Sequence, residues 1–150
     1  IIGDGPLRAD LEGRVTHHNL QERIHFAGEQ SQNYVLRALR NSDIFVLASA
    51  PDERGASDIF PTVIAEAMAS EKPVVSTTVA GIPELVASGK SGLLVPPRDA
   101  AALADAMDRL ARDETLRNDF GRASRCRIEQ EFTIEKTIEP LLTRFATMLL

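Results

Sequence analysis

Three short apolar runs, "DIFVLAS" (43–49), "PVVST" (73–77) and "GLLVP" (92–96), recur along the chain with helical patterns between them. Each run is continuously apolar, the pattern of a parallel strand covered on both faces. Parallel neighbours need a crossover between them. The helical stretch over 61–70 and the turn and short helix over 81–88 stand where those crossovers belong. The order predicts an α/β fold: a doubly wound, Rossmann-like parallel sheet with helices on both faces. Upstream, Ile1 and Ile2 end a strand that runs into Gly3 and Gly5, a polar amphipathic stretch covers 6–19, and "RIHFAG" (23–28) is short and β-rich. Val35, Leu36 and Leu39 give 31–41 a helical spacing. After "PPRD" (96–99) the pattern is helical only, which predicts a helical C-terminal tail. Its first helix, 99–112, has Leu103, Ala106, Met107 and Leu110 on one stripe and Asp99 as N-cap; a second runs over 114–131, and a third, capped by Thr133, from 134 to the end.

Composition narrows the functional classes. The 150 residues fit one domain, and 43% hydrophobic against 26% charged residues is the balance of a folded chain rather than a disordered one. A formal charge of −5 argues against nucleic acid as a partner, because phosphate backbones are held by clustered Lys and Arg. Cys126 is the only cysteine, and no His or Cys stands near it at metal-ligand spacing, so neither a disulfide within the chain nor a metal site at that cysteine is expected. No apolar run approaches the roughly 18–20 residues of a membrane span, and no signal peptide is evident. A cytoplasmic protein is the expectation. The opening "IIGDGP" has no initiator Met and starts with a strand in progress, which reads as a fragment of a longer protein.

In such sheets ligands meet the loops at the carboxyl ends of the strands. Three loops qualify: 3–6, 28–31 and 48–61. The last exceeds the usual two to six residues of a strand-to-helix connection, and it leads into Pro61, whose fixed φ suits the start of a helix. The helix N-terminus offers free amides and a positive dipole end to a diphosphate. Glu66 follows among Val63, Ile64, Ala65, Ala67, Met68 and Ala69. A carboxylate there is costly unless it meets donors, so pattern leaves two readings open, a surface ion pair or a ligand contact. From pattern alone Asp58 reads as an ordinary helix N-cap that accepts amide hydrogen bonds, ahead of a ligand contact. "GDGP" lacks the third glycine of a dinucleotide fingerprint, which would fall at Arg8. His17, His18 and His25 have no nucleophile or paired acid beside them in sequence, and they read as surface or packing residues.

The landmarks "IIGDGPLRADLE", "RIHFAG", "SDIFVLAS", "DIFPTVIAEAMASEKPVVSTTVAGIPELV" and "SGLLVPPRD", in that order, resemble the family-four retaining glycosyltransferases with the two-domain GT-B fold, specifically their C-terminal nucleotide-sugar-binding domain. The resemblance covers nearly the whole chain. It implies that residues 1–150 are part of a donor-binding domain, that the N-terminal acceptor domain is absent, and that the first central strand of the sheet is lacking. The implied activity is hexosyl transfer, with retention, from a nucleotide-diphosphate sugar to a glycan or glycolipid in polysaccharide biosynthesis. No metal or cofactor beyond the nucleotide-sugar co-substrate is implied. Peripheral membrane association of the full-length protein is a further expectation.

The family carries two glutamates separated by seven residues, and Asp58 and Glu66 hold that spacing. By resemblance, Asp58 is the catalytic-site carboxylate that binds hydroxyls of the donor sugar, and Glu66 binds the ribose. Ile59, Phe60, Pro61, Thr62 and Val63 would present backbone to sugar and diphosphate, Gly28, Glu29 and Gln30 would border the base, and Gly3 and Gly5 would shape the cleft floor. Departures from the family are Asp58 for glutamate, Ile59 for a glycine, Ala48 for a proline, and Glu71 for the glycine that ends the helix, which predicts a positive φ at a non-glycine residue. The Arg and Lys that grip the diphosphate in the family belong to the lacking segment, so the chain alone is expected to be inactive. Two alternatives share the architecture: a nucleotide-sugar 2-epimerase and a non-catalytic partner subunit with a degenerate site. Product analysis with and without acceptor, and nucleotide-sugar binding, discriminate among them.

Overall fold

The structure, a computed structural model, describes residues 1–52 and 55–148. They fall into two compact units, Ile1–Ala38 and Leu39–Leu150.

In the first unit, α1 (Arg8–His17) buries none of its residues. What supports it is charge order. Asp10 lies in the first turn and Arg14 and His17 in the last, as the helix dipole favours, and Arg8–Glu12 and Asp10–Arg14 pair at 2.8 and 2.9 Å across one turn. The two strands expected at 1–2 and 23–28 contract to a single parallel bridge, Ile2 to Gly28, flanked by Ala27 N–H to Ile1 C=O and Gly3 N–H to Gly28 C=O, each 2.8 Å. Each segment has only the other as partner among the described residues, too little to hold a longer ladder. Helix α2 (Gln32–Arg40) carries the chain across the unit boundary and buries Leu39.

The second unit is the α/β body. Strands β1 (Phe45–Leu47), β2 (Val74–Thr77) and β3 (Gly92–Val95) form a parallel sheet in the order β1-β2-β3, with Val46 opposite Val75 and Val75 opposite Leu93. Alternation along β2 divides the core in two. Val74 packs with Ile64, Met68, Ile82 and Leu85 from α3 (Thr62–Ala69) and α4 (Ile82–Leu85). Val75 packs on the other face with Ala106 and Leu110 of α5 (Ala100–Arg112) and Phe120 of α6 (Glu114–Glu131). Ile64, Leu85 and Leu110 are fully buried, each contributing about 1.5–3 kcal/mol. Helices thus cover both faces, the doubly wound pattern. Asp99 and Asp113 cap α5 and α6 by accepting from Ala102 and Leu116 amides at 2.9 and 2.8 Å.

One expectation is corrected. The run 43–49 reads as a fully buried strand, but β1 is shorter and only half-buried throughout. Among the described residues it pairs with β2 alone and is an edge, so one flank lacks a neighbour to cover it.

Helix α6 locks the body together. It passes over the carboxyl end of α3 at Gly121, where an added Cβ would collide with the Glu71 carbonyl oxygen. The buried Ser124 hydroxyl donates to the Ser91 carbonyl at 2.8 Å. Glu71 adopts φ +58, as expected of the residue that replaces a helix-ending glycine. Helix α7 (Ile134–Met148) follows, with Lys136 N–H donating to the Thr133 hydroxyl at 3.4 Å.

Candidate functional site

Apolar spacing builds the helix that carries Glu66. Ile64, Ala67 and Met68 recur at three- and four-residue intervals and bury against the sheet, while Ala65, Ala67 and Ala69 supply helix propensity. Glu66 lies beside that stripe and is half-buried. Among the described residues no donor meets its carboxylate, so the surface ion pair left open by the sequence is not formed.

The N-cap of α3 is Pro61, and no side chain caps the helix. The expected N-cap role of Asp58 is thereby corrected. Its Oδ1 accepts from the Phe60 N–H at 3.2 Å, two residues on, which stiffens the turn before the helix instead of capping it. Asp58 and Ile59 are exposed, Ile59 at 76%, and Thr62 is exposed while Val63 is half-buried. The Ile59 carbonyl points inward and accepts from the Gly81 N–H at 2.9 Å. The segment 58–63 and Glu66 therefore share one helix entrance in the second unit.

The root of the preceding loop is fixed by side chains on β2 and beyond. Ser76 Oγ donates to the Leu47 carbonyl at 2.7 Å, Thr77 Oγ1 to the Ser49 carbonyl at 2.6 Å, and Arg98 Nη2 to the Pro51 carbonyl at 2.7 Å.

The remaining expected site residues belong to the first unit. Gly3 and Gly28 are joined by the backbone hydrogen bond described above, and Gly5 N–H donates to Asp4 Oδ1 at 2.8 Å. Arg8 sits between Asp4, at 2.6 Å, and Glu12. That guanidinium, with the Gly5 amide second, holds the Asp4 carboxyl below its ordinary range, and Glu12 and then Asp4 raise Arg8 in turn. A groove of about 340 Å³ opens beside Ile1, Gly3, Asp4, Leu7 and Phe26. Glu29 is exposed, and Gln30 Nε2 folds back to the Ala27 carbonyl at 2.6 Å.

Sequence reasoning missed three residues that touch or brace the Asp58 segment: Gly81, Arg127 and Phe132. Gly81 was in view as part of "AGIPEL", a glycine before a short helix, but its contact lies more than twenty positions upstream.

Comparison with known proteins decides the family. The family model for glycosyl transferases group 1 matches residues 1–127. The chain belongs to the group 1 glycosyltransferases. Among its relatives are the putative colanic acid biosynthesis glycosyltransferase WcaL of Salmonella typhimurium, 38% identical over 88% of this chain and 33% of that protein, and the amylovoran biosynthesis glycosyltransferase AmsK of Erwinia amylovora, 37% identical over 88% and 32%. In structure the group 1 domain superposes on sucrose-phosphate synthase from Thermosynechococcus elongatus with a TM-score of 0.82 and 29% identity, covering 99% of this chain and 37% of that one. Anabaena HepE, solved in complex with UDP, gives a TM-score of 0.85 at 22% identity over 97% of this chain and 40% of that one, which speaks for the shared GT-B fold. The chain thus spans about a third of the length of WcaL and AmsK. No described helix is long and apolar enough to cross a membrane.

Proposed function

We propose that this chain is the donor-binding part of a retaining glycosyltransferase that moves a sugar from a nucleotide-diphosphate donor to a glycan or glycolipid. The observation that carries the reading is Glu66: a half-buried carboxylate without a described protein donor, inside a helix whose N-terminus no side chain caps, in a group 1 glycosyltransferase domain. An acceptor group there is suited to ribose hydroxyls. Amides of Thr62 and Val63 at the same helix entrance suit the diphosphate, whose developing charge the dipole favours. Asp58, held by the Phe60 amide and exposed, faces the sugar hydroxyls. The protein's contribution is positioning and electrostatic stabilisation of the departing diphosphate, with no metal or cofactor required of these residues. That HepE was solved with UDP and UDP-glucose supports a nucleotide-sugar donor. The acceptor is met by the part of the protein outside this chain, and the chain by itself transfers no sugar. The full-length protein works in the cytoplasm, peripherally at the membrane where its acceptor is a glycolipid.

The test is Glu66→Ala in the complete enzyme. Hydrogen bonds to a charged group contribute about 1.5–3 kcal/mol, so nucleoside diphosphate affinity is expected to fall about 10- to 150-fold by calorimetry. Unchanged affinity would reject the ribose assignment.

A further inference from the structure

The Asp58 segment is short, exposed and outside regular structure, yet two features hold it from behind. Gly81 donates its N–H to the Ile59 carbonyl at 2.9 Å, and it is buried there. A Cβ at Gly81 would lie 2.7 Å from that oxygen and 3.2 Å from the Phe60 ring, although Gly81 has φ −79 and no backbone need for glycine. Close approach alone therefore requires the missing side chain. Phe60, the hydrogen-bond partner of Asp58, also meets Phe132 ring to ring at 6.3 Å between centroids.

Arg127 ties the two supports together. Its Nε and Nη2 donate to the Leu85 and Glu84 carbonyls, both at 2.8 Å, gripping the end of the short helix that begins after Gly81. Its guanidinium also lies 5.5 Å from the centre of the Phe132 ring, and Glu131 holds its Nη1 at 2.8 Å. One side chain from α6 thus fixes both the helix that presents Gly81 and the ring that backs Phe60.

We infer that Gly81, Phe132 and Arg127 form a clamp that positions Asp58, an inference that rests on the donor-site reading above. They are positioning residues, since none is assigned a contact with substrate. The clamp grips the backbone and the neighbouring ring and leaves the Asp58 carboxylate free to meet a sugar. Glu66 lies outside it, on α3, so the clamp governs sugar placement and not nucleotide affinity.

The experiment uses the complete enzyme and follows nucleoside diphosphate release from whichever of UDP-glucose and GDP-mannose the wild type turns over, with UDP and GDP affinities by calorimetry. Gly81→Ala and Phe132→Leu are expected to lower kcat, Gly81→Ala by as much as about 100-fold for a displacement near 1 Å, with nucleoside diphosphate affinity unchanged. Phe132→Tyr, which keeps the ring, restores turnover. Combined with Asp58→Ala, neither adds a further loss, because the group being positioned is gone. Loss by Asp58→Ala together with full turnover in Gly81→Ala and Phe132→Leu would overturn the clamp and leave the donor site standing. Losses that multiply with that of Asp58→Ala would overturn it as well. Full turnover in Asp58→Ala would instead remove the donor-sugar role of Asp58 on which the clamp rests, while the ribose assignment of Glu66 stands or falls by Glu66→Ala. Should Gly81→Ala not fold, the half-buried Phe132 variants carry the same comparison.

Discussion

Gly121→Ala sets two physical effects against each other at one atom. Gly121 is in the interior of α6, where exchanging glycine for alanine gains about 0.8–1 kcal/mol of helix propensity. Its missing side chain, however, is where the Glu71 carbonyl passes, and Cδ of Pro73 lies 3.8 Å away. Overpacking typically costs about 1–3 kcal/mol. The upper part of that range applies because the obstacle is backbone, which has no rotamer with which to yield. Neighbouring contacts make a slide of α6 costly too: Ser124 is hydrogen-bonded in the core, and Arg125 donates to the Ala69 carbonyl near the end of α3. The net expectation is a loss of about 1–2 kcal/mol, or a fall of about 2–8 °C in Tm for a domain of this size. Urea unfolding followed by circular dichroism measures it, with Gly13→Ala in α1 as the internal contrast. Nothing lies within 4 Å of a Cβ at Gly13, so only the propensity gain remains and helix stability rises. A Gly121→Ala protein more stable than wild type would refute the argument that the α3–α6 crossing is set by this contact.

Glu71→Gly should act in the opposite sense. Removing a left-handed L-residue relieves about 1–2 kcal/mol, offset by about 0.5–1 from glycine's extra freedom when unfolded, so a gain of about 0.5–1 kcal/mol is expected in the same unfolding assay. In the first unit, Asp4 is shifted below its ordinary 3.8, chiefly by Arg8. A depressed carboxyl contributes stability that is fully present above the unfolded value and is lost as pH falls through the folded one. Amide exchange at Gly5 should therefore keep its protection from neutral pH down to about 4 and lose it only below; loss near pH 6 would contradict the pairing.

Much of the second unit was legible because its signals are local and periodic. The α6 bounds and the Asp99 cap were readable to the residue, since a cap and a 3.6-residue stripe are written within a few positions of the helix they define. Continuous apolar runs revealed β2 and β3, and the α3 stripe left Glu66 as the carboxylate needing an explanation. The length of β1 and its half-exposure were not legible. An edge strand and a central one can carry the same residues, and the difference lies in how many neighbours the sheet provides.

What the sequence determined by itself was the class of fold and the spacing of Asp58 and Glu66, written in residues close together along the chain, while the left-handed backbone at Glu71 was legible only through the family resemblance, which places a glycine there. The choice between cap and turn for Asp58, and between an ion pair and a carboxylate without a donor among the described residues for Glu66, was made only by the folded structure. So was the support of the Asp58 segment by Gly81, Phe132 and Arg127, up to some seventy positions downstream. Such contacts arise where helices packed on a sheet converge. A glycine needed for the space it leaves empty carries no mark that distinguishes it, in sequence, from one needed for its φ.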